Sequence, residues 1–289
     1  MVNHLIHFAV KLFLRIVLER TKQIINLNKH GDDTQLNMKN IKHVIGVMAF
    51  LLLSTTLIKA QNQRYTIYQD QVKPAMQAEY EKTTKEFIEE CKKNNLKGAD
   101  WVTARMSDGR YLYISPIEKM GDLDRDWFAP LGEKIGKENL QKYFDRFDKC
   151  YDKNGSYSVT LEKDLSYMPN GLTTNTVGQD FRKYHLFYVT PSNSKNMAAQ
   201  LKAIKQLFES KNAKEYYRIY HSGYGVVGEY YMAVLSAKDE TAYAKTSDEN
   251  DALLGTAWKN AFDELLKFTD KYETISGMMR PDLSYAANK

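Results

Sequence analysis

After residue 60, the side chains best equipped for chemistry are two histidines and a cluster of tyrosines. Of six histidines only His185 and His221 fall in that stretch. An imidazole can ligate haem iron or carry a proton near neutral pH. Neither histidine has a Cys, His or carboxylate at metal-ligand spacing, however. His185 lies between Tyr184 and Leu186, where a hydrogen-bonded core residue is the plainer account, and His221 opens a Gly-containing segment that reads as a solvated loop. Tyr216, Tyr217, Tyr220, Tyr224, Tyr230 and Tyr231 form the densest group. A tyrosine offers an apolar ring and a hydroxyl, which suits a pocket for a flat or glycan-like ligand, although tyrosine also favours strands for its own sake. Arg218, set among them, is the candidate anion anchor, and Arg105 is its expected counterpart earlier in the chain. The candidate ligand-facing set is therefore Arg105, His185, Tyr216, Arg218, Tyr220, His221 and Tyr230, with no catalytic residue and no metal ligand assigned.

Other groupings carry less. Asp122/Asp124 and Glu89/Glu90 fall on helices or their edges, where solvation and the helix dipole account for them. Gly223-x-Gly225-x-x-Gly228 has dinucleotide-loop spacing but joins two strand-like runs, whereas phosphate binding needs a helix N-terminus. No nucleophile elbow or Walker loop is present.

The elements that must position these residues run strand, helix, two strands, helix, strand, and then repeat. Tyr65 to Asp70 reads as a strand, and Pro74 opens a helix over Ala75 to Asn94. Met76, Tyr80, Thr83/Thr84, Phe87 and Cys91 form its buried stripe, and Gly98 lies just past its end. Trp101–Met106 and Arg110–Ile114 flank Asp108-Gly109 as a hairpin. A helical region from Glu118 to about Lys153, broken near Pro130 and Gly136, leads to a strand over Tyr157–Leu161. The second copy has a strand over Tyr184–Thr190 and a helix bearing Met197, Leu201, Ile204, Leu207 and Phe208, with a serine at its start suited to capping. Hairpin strands follow over Glu215–Tyr220 and Gly228–Leu235, then a helical region Lys238–Lys271 and a last strand Thr274–Met279.

Asp164-Leu165-Ser166-Tyr167 recurs as Asp282-Leu283-Ser284-Tyr285, and Phe144-Asp145 as Phe262-Asp263, in one register. The expected organisation is a first repeat over 61–167, a Pro/Gly/Thr/Asn linker over 168–181 and a second repeat over 182–289. The fold class read from this order is α+β: two tandem ferredoxin-like (βαββαβ) repeats packed as a pseudo-dimeric barrel. On that element order, and on strands apolar on both alternations, the chain resembles the dimeric α+β barrel superfamily. The resemblance spans residues 64–286 and carries no diagnostic motif. It implies an interior cavity without fixing a reaction, since the superfamily includes haem-handling enzymes, cofactor-free monooxygenases and plain ligand binders. Cys91 and Cys150, near the ends of helices that would run antiparallel, are expected as separate buried thiols.

Charge narrows the partners. The first 60 residues hold eight Lys/Arg and three acids, which leaves 33 of each afterwards and a net charge of zero. A neutral domain lacks the field that draws a polyanion, so nucleic acid is excluded as a partner. Met38–His43 is basic and Val44–Leu53 is an apolar run too short to span a bilayer comfortably, so 38–60 reads as a signal peptide cleaved after Ala60. The alternative is an uncleaved N-terminal anchor. Residues 1–37 read as a start-site extension, with a basic amphipathic surface helix as the other account. The expected protein is exported, periplasmic or secreted, with no mature transmembrane segment. The first functional reading is a non-catalytic binding protein for a small molecule or a protein ligand, with no cofactor and with oligomerisation left open. The second is an enzyme of the haem-binding or cofactor-free monooxygenase type, with haem as cofactor in the former and His185 or His221 as ligand or base.

Overall fold

The computed structural model describes residues 62–174 and 176–287. The expected extension over 1–37 and signal peptide over 38–60 lie outside the described residues. Alternating apolar residues build eight strands: β1 (Gln63–Val72), β2 (Val102–Met106), β3 (Arg110–Ile117), β4 (Tyr151–Tyr167), β5 (Phe181–Val189), β6 (Tyr217–Ser222), β7 (Glu229–Ala237) and β8 (Lys271–Met279). They close into a barrel in the order β4-β1-β3-β2-β8-β5-β7-β6, with every pairing antiparallel. Closure leaves no free edge to template further pairing. The order within the first four strands is the order within the last four.

Helices cover the outside. α1 (Gln77–Lys93) follows a short 3-10 turn begun at Pro74 and buries Tyr80, Thr83, Thr84, Phe87 and Cys91 of the expected stripe together with Ile88, while Met76 falls in the turn and is not buried. α2 (Ala129–Ile135) and α3 (Lys137–Asp148) complete the first layer, broken at Gly136, whose φ is 89°. α4 (Ser194–Lys211), α5 (Glu240–Leu254) and α6 (Thr256–Lys267) cover the second half. Helix packing and strand alternation thus create apolar layers outside the barrel and one within it. Cys91 and Cys150 are free and buried, and burial pushes the Cys91 thiol up to about 12. Among the described residues no helix is long and apolar enough to cross a membrane.

The structure departs from the sequence expectations in several places. α3 ends at Asp148 and β4 begins at Tyr151, because β1 extends far enough to pair Val72 with Tyr151. The expected single helical region 238–271 is two helices, parted at Gly255, whose φ of 57° favours glycine. Asn193, not a serine, stands before α4, and its side chain makes no capping bond.

The recurrent Asp-Leu-Ser-Tyr has a structural meaning. The Ser166 hydroxyl accepts from the Ile219 amide at 2.9 Å and donates to the Glu162 carbonyl, four residues back. The Ser284 hydroxyl accepts from the Thr103 amide at 2.9 Å and donates to the Arg280 carbonyl, also four back. The Tyr167 hydroxyl donates to the Ala213 carbonyl just beyond α4, and the Tyr285 hydroxyl to the Leu96 carbonyl just beyond α1. Each motif therefore clasps the opposite half of the barrel.

Candidate ligand chamber

Residues of even number on β5, β6 and β7 point inward. This brings Tyr184, Leu186, Tyr188, Arg218, Tyr220, Tyr230, Met232 and Val234 around one chamber, with Arg182 at its end. Ile67, Leu112, Ile114 and Val159 face them from the other half. The space amounts to about 330 Å³ and is mainly apolar, with six tyrosines (Tyr65, Tyr157, Tyr184, Tyr188, Tyr220, Tyr230) and three arginines (Arg110, Arg182, Arg218) in its wall. None of the lining residues is His, Cys, Asp or Glu. Among the described residues no group of three or more His, Cys, Asp and Glu is placed to hold a metal.

Arg182 and Arg218 stand on either side of β7, each only 2% exposed. Arg182 donates to the carbonyls of Phe181, Gln179 and Thr174, and Arg218 to those of Thr173 and Val234 and to the Ser236 hydroxyl. The carbonyls of Thr173, Thr174 and Gln179 thus meet the two guanidiniums at this end of the barrel. Burial lowers the pKa of both guanidiniums, and the Arg218 charge lowers that of Arg182 further. Burial also raises the Tyr184 and Tyr220 hydroxyls, which stay protonated donors at neutral pH. At the opposite end the β6–β7 loop folds over β4. A Cβ on Gly225 would lie 2.6 Å from the Ser156 carbonyl oxygen, so only glycine permits that approach.

Of the residues singled out in the sequence, Arg218, Tyr220 and Tyr230 line the chamber. Arg105 does not: it is on the outer face, donating to Gln77 Oε1 at 2.8 Å. Matching the clasp contacts pairs Thr103 with Ile219, so the position equivalent to Arg218 is Val102; Arg105 lies three residues further on, an odd offset that turns it outward. Tyr216 packs outside against Tyr167. His185 is also on the outer wall, with Nδ1 at 2.6 Å from the Tyr272 hydroxyl and Nε2 at 3.2 Å from that of Tyr243. Burial and then the Lys183 charge lower its pKa to about 4. His221 is on strand β6, not in the loop expected from sequence, because β6 runs on to Ser222. Its Nε2 lies 2.8 Å from Glu229 Oε1, and its ring stacks on Tyr231 at 4.3 Å. The chamber residues missed in the sequence are chiefly Arg182, Tyr184 and Tyr188. Their alternation through β5 was the available signal.

No family profile matches the sequence, and no curated protein does. Solved structures do match. An anthrone oxidase-like protein aligns with a TM-score of 0.51 and 11% identity over 80% of this chain and 95% of its own. The fold is shared with dimeric α+β barrel proteins. A protein of Lactobacillus acidophilus provisionally named a monooxygenase aligns at 0.48, with 9% identity over 76% of this chain and 94% of its own. A heme-binding protein of Thermus thermophilus aligns at 0.40, with 10% identity over 77% and 93%. This set corrects the first functional expectation. A non-catalytic binding protein is not the reading that the fold favours, since the match with a TM-score above 0.5 carries an oxidase-like name.

Proposed function

We propose that the chain is an enzyme of the cofactor-free monooxygenase or oxidase type, acting on a small flat aromatic substrate inside the barrel. The observation that supports this most is the mainly apolar chamber with tyrosine hydroxyls and arginines in its wall. Such a chamber surrounds a bound substrate with apolar wall and stabilises an electron-rich substrate anion, the form that reacts with O₂ directly. For an activated CH₂ the chemistry balances without a cofactor. The carbon loses a proton, its electron pair passes to O₂, and reprotonation gives a hydroperoxide. Loss of water then leaves a carbonyl, so one O₂ is consumed and one water released per CH₂. The protein's part is to hold the anion.

Neither described histidine is placed to hold haem in the chamber. Both nitrogens of His185 are held by tyrosine hydroxyls, His221 is held by Glu229 on the outer wall, and among the described residues no histidine lines the chamber. The finer architecture belongs to the same proposal: the chain reads as a duplicated ferredoxin-like unit over 61–167 and 182–289, supported by the shared strand order and the paired clasps. Export by way of residues 38–60 is likewise proposed, on their basic and apolar pattern.

Oxygen uptake by the full chain, measured with anthrone as probe, tests the activity. The expected result is uptake above the buffer rate, one O₂ per quinone, lost when Met232→Trp fills the chamber and kept in His185→Ala and His221→Ala. Uptake no faster than buffer with anthrone and related phenolic ketones would overturn the reading, as would a Soret shift on haem addition that disappears in His185→Ala.

A further inference from the structure

Arg182 and Arg218 pose an electrostatic problem that the described residues do not solve. Two cations are buried side by side, and every acceptor they meet is a neutral carbonyl or hydroxyl. Asp180 offsets Arg182 in part, from outside the chamber lining. The groups that favour charge on Arg218 are tyrosines alone. A buried charge without a counter-charge is costly, and two of like sign more so. Arg218 also keeps its Nε–H buried with no acceptor, although it lines the chamber. A guanidinium offers donors in a planar fork that suits an oxyanion. Tyr184 and Tyr220 also line the chamber, near Arg218.

We infer that this end of the chamber is an oxyanion site, and that the ligand is a flat aromatic acid whose carboxylate or phenolate oxygen sits at the arginine end while its rings lie among Leu186, Met232 and Ile114. The inference rests on the chamber being the substrate site, and it adds the substrate's charge and orientation. The anion supplies the missing counter-charge. The apolar wall takes the rings, and the hydroxyls of Tyr184 and Tyr220, protonated at neutral pH, are donors for the remaining lone pairs. With the oxyanion fixed at the arginines, the far end of the ligand points toward the β6–β7 loop.

The test uses the full chain and two probes of one shape, 2-naphthoate and its neutral amide, 2-naphthamide, titrated calorimetrically at neutral pH. The expected result is a naphthoate preference of about tenfold or more, cut to about threefold or less in Arg218→Met. In Met232→Trp both probes should lose binding. Equal affinity for the two probes overturns the inference. So does failure of both to bind at about 1 mM, or naphthoate binding that survives Met232→Trp. Should Arg218→Met not fold by circular dichroism, the wild-type comparison still decides. 2-Naphthol followed from neutral to alkaline pH identifies which oxyanion is preferred. If its affinity rises with ionisation beyond that of naphthoate, the ligand is a phenolate; otherwise it is a carboxylate. Oxygen uptake is measured in parallel. An anion preference without uptake refutes the oxygenase reading and leaves this site standing, while uptake without an anion preference does the reverse.

Discussion

Glu215 precedes β6 and is buried against α5. One of its oxygens accepts from Asn250 Nδ2 at 3.2 Å, while its Oε1 and the Asn250 Oδ1 have no partner. Burial raises its pKa to about 7 from an ordinary 4.5. Between those values the folded chain holds a proton that the unfolded chain has released, so this group's contribution to stability is full below the lower value and is lost as pH rises through the upper one. The loss amounts to about 3 kcal/mol. Glu215→Gln keeps the shape without the charge. It should melt well above wild type at pH 8 and close to it at pH 4.5, whereas equal melting temperatures at both would show the carboxylate to be ionised at no cost. His185 has the opposite sign: with its pKa lowered to about 4, its neutral form's contribution is lost as pH falls from about 6.5. Single residues were unevenly legible in the sequence. Arg218 stood out because tyrosines flank it. Arg182 did not, because an arginine beside Phe181 at a strand start reads as a solvated end, and only the closed barrel turns it inward.

Among the elements, the clasps carry the most information. Ser166→Ala leaves the Ile219 amide without its acceptor, and Ser284→Ala does the same to Thr103. A buried orphaned donor costs about 1–3 kcal/mol. Each substitution should therefore lower the urea midpoint by a comparable amount, while Ser192→Ala, whose hydroxyl meets only Thr190 in an exposed turn, should not. A midpoint unchanged in Ser166→Ala but lowered in Ser284→Ala would mean that the two copies are not equivalent. The sequence displayed the repeated tetrapeptide and its register, and from these the element order followed. It concealed what the motif does, since its bonds run to residues about 50 positions away in one copy and about 180 in the other, and nothing local marks such partners. The same non-local pairing hid the full length of β4, whose polar first half is held as strand by β1. The position of His221 was lost in a similar way, because its place at Tyr231 on β7 depends on how far the hairpin ladder continues.

For the molecule as a whole, two seams join the halves, β4 with β6 and β2 with β8, and the clasps cross them in both directions. The covalent connection over residues 168–180 is therefore a minor part of what holds the barrel closed, although its Thr173 and Thr174 carbonyls meet the two arginines. At Gly171 there is open space around the backbone, and Leu172 is exposed, so a protease site between them disturbs no packing. Cleavage there leaves the arginine-binding carbonyls on the second fragment, with both arginines. The nicked protein should elute as a single species at the size of the uncut chain. Its thermal stability should become dependent on concentration, because the halves no longer share one effective concentration. Adding Tyr167→Phe and Tyr285→Phe removes one bond from each clasp and should bring dissociation into the micromolar range before the uncut chain with the same changes unfolds. Separation of the nicked wild-type fragments at low micromolar concentration would instead place the barrel's closure in the linker. The chamber would then be a product of tethering, and its buried arginine pair would depend on a segment that the strand order alone does not require.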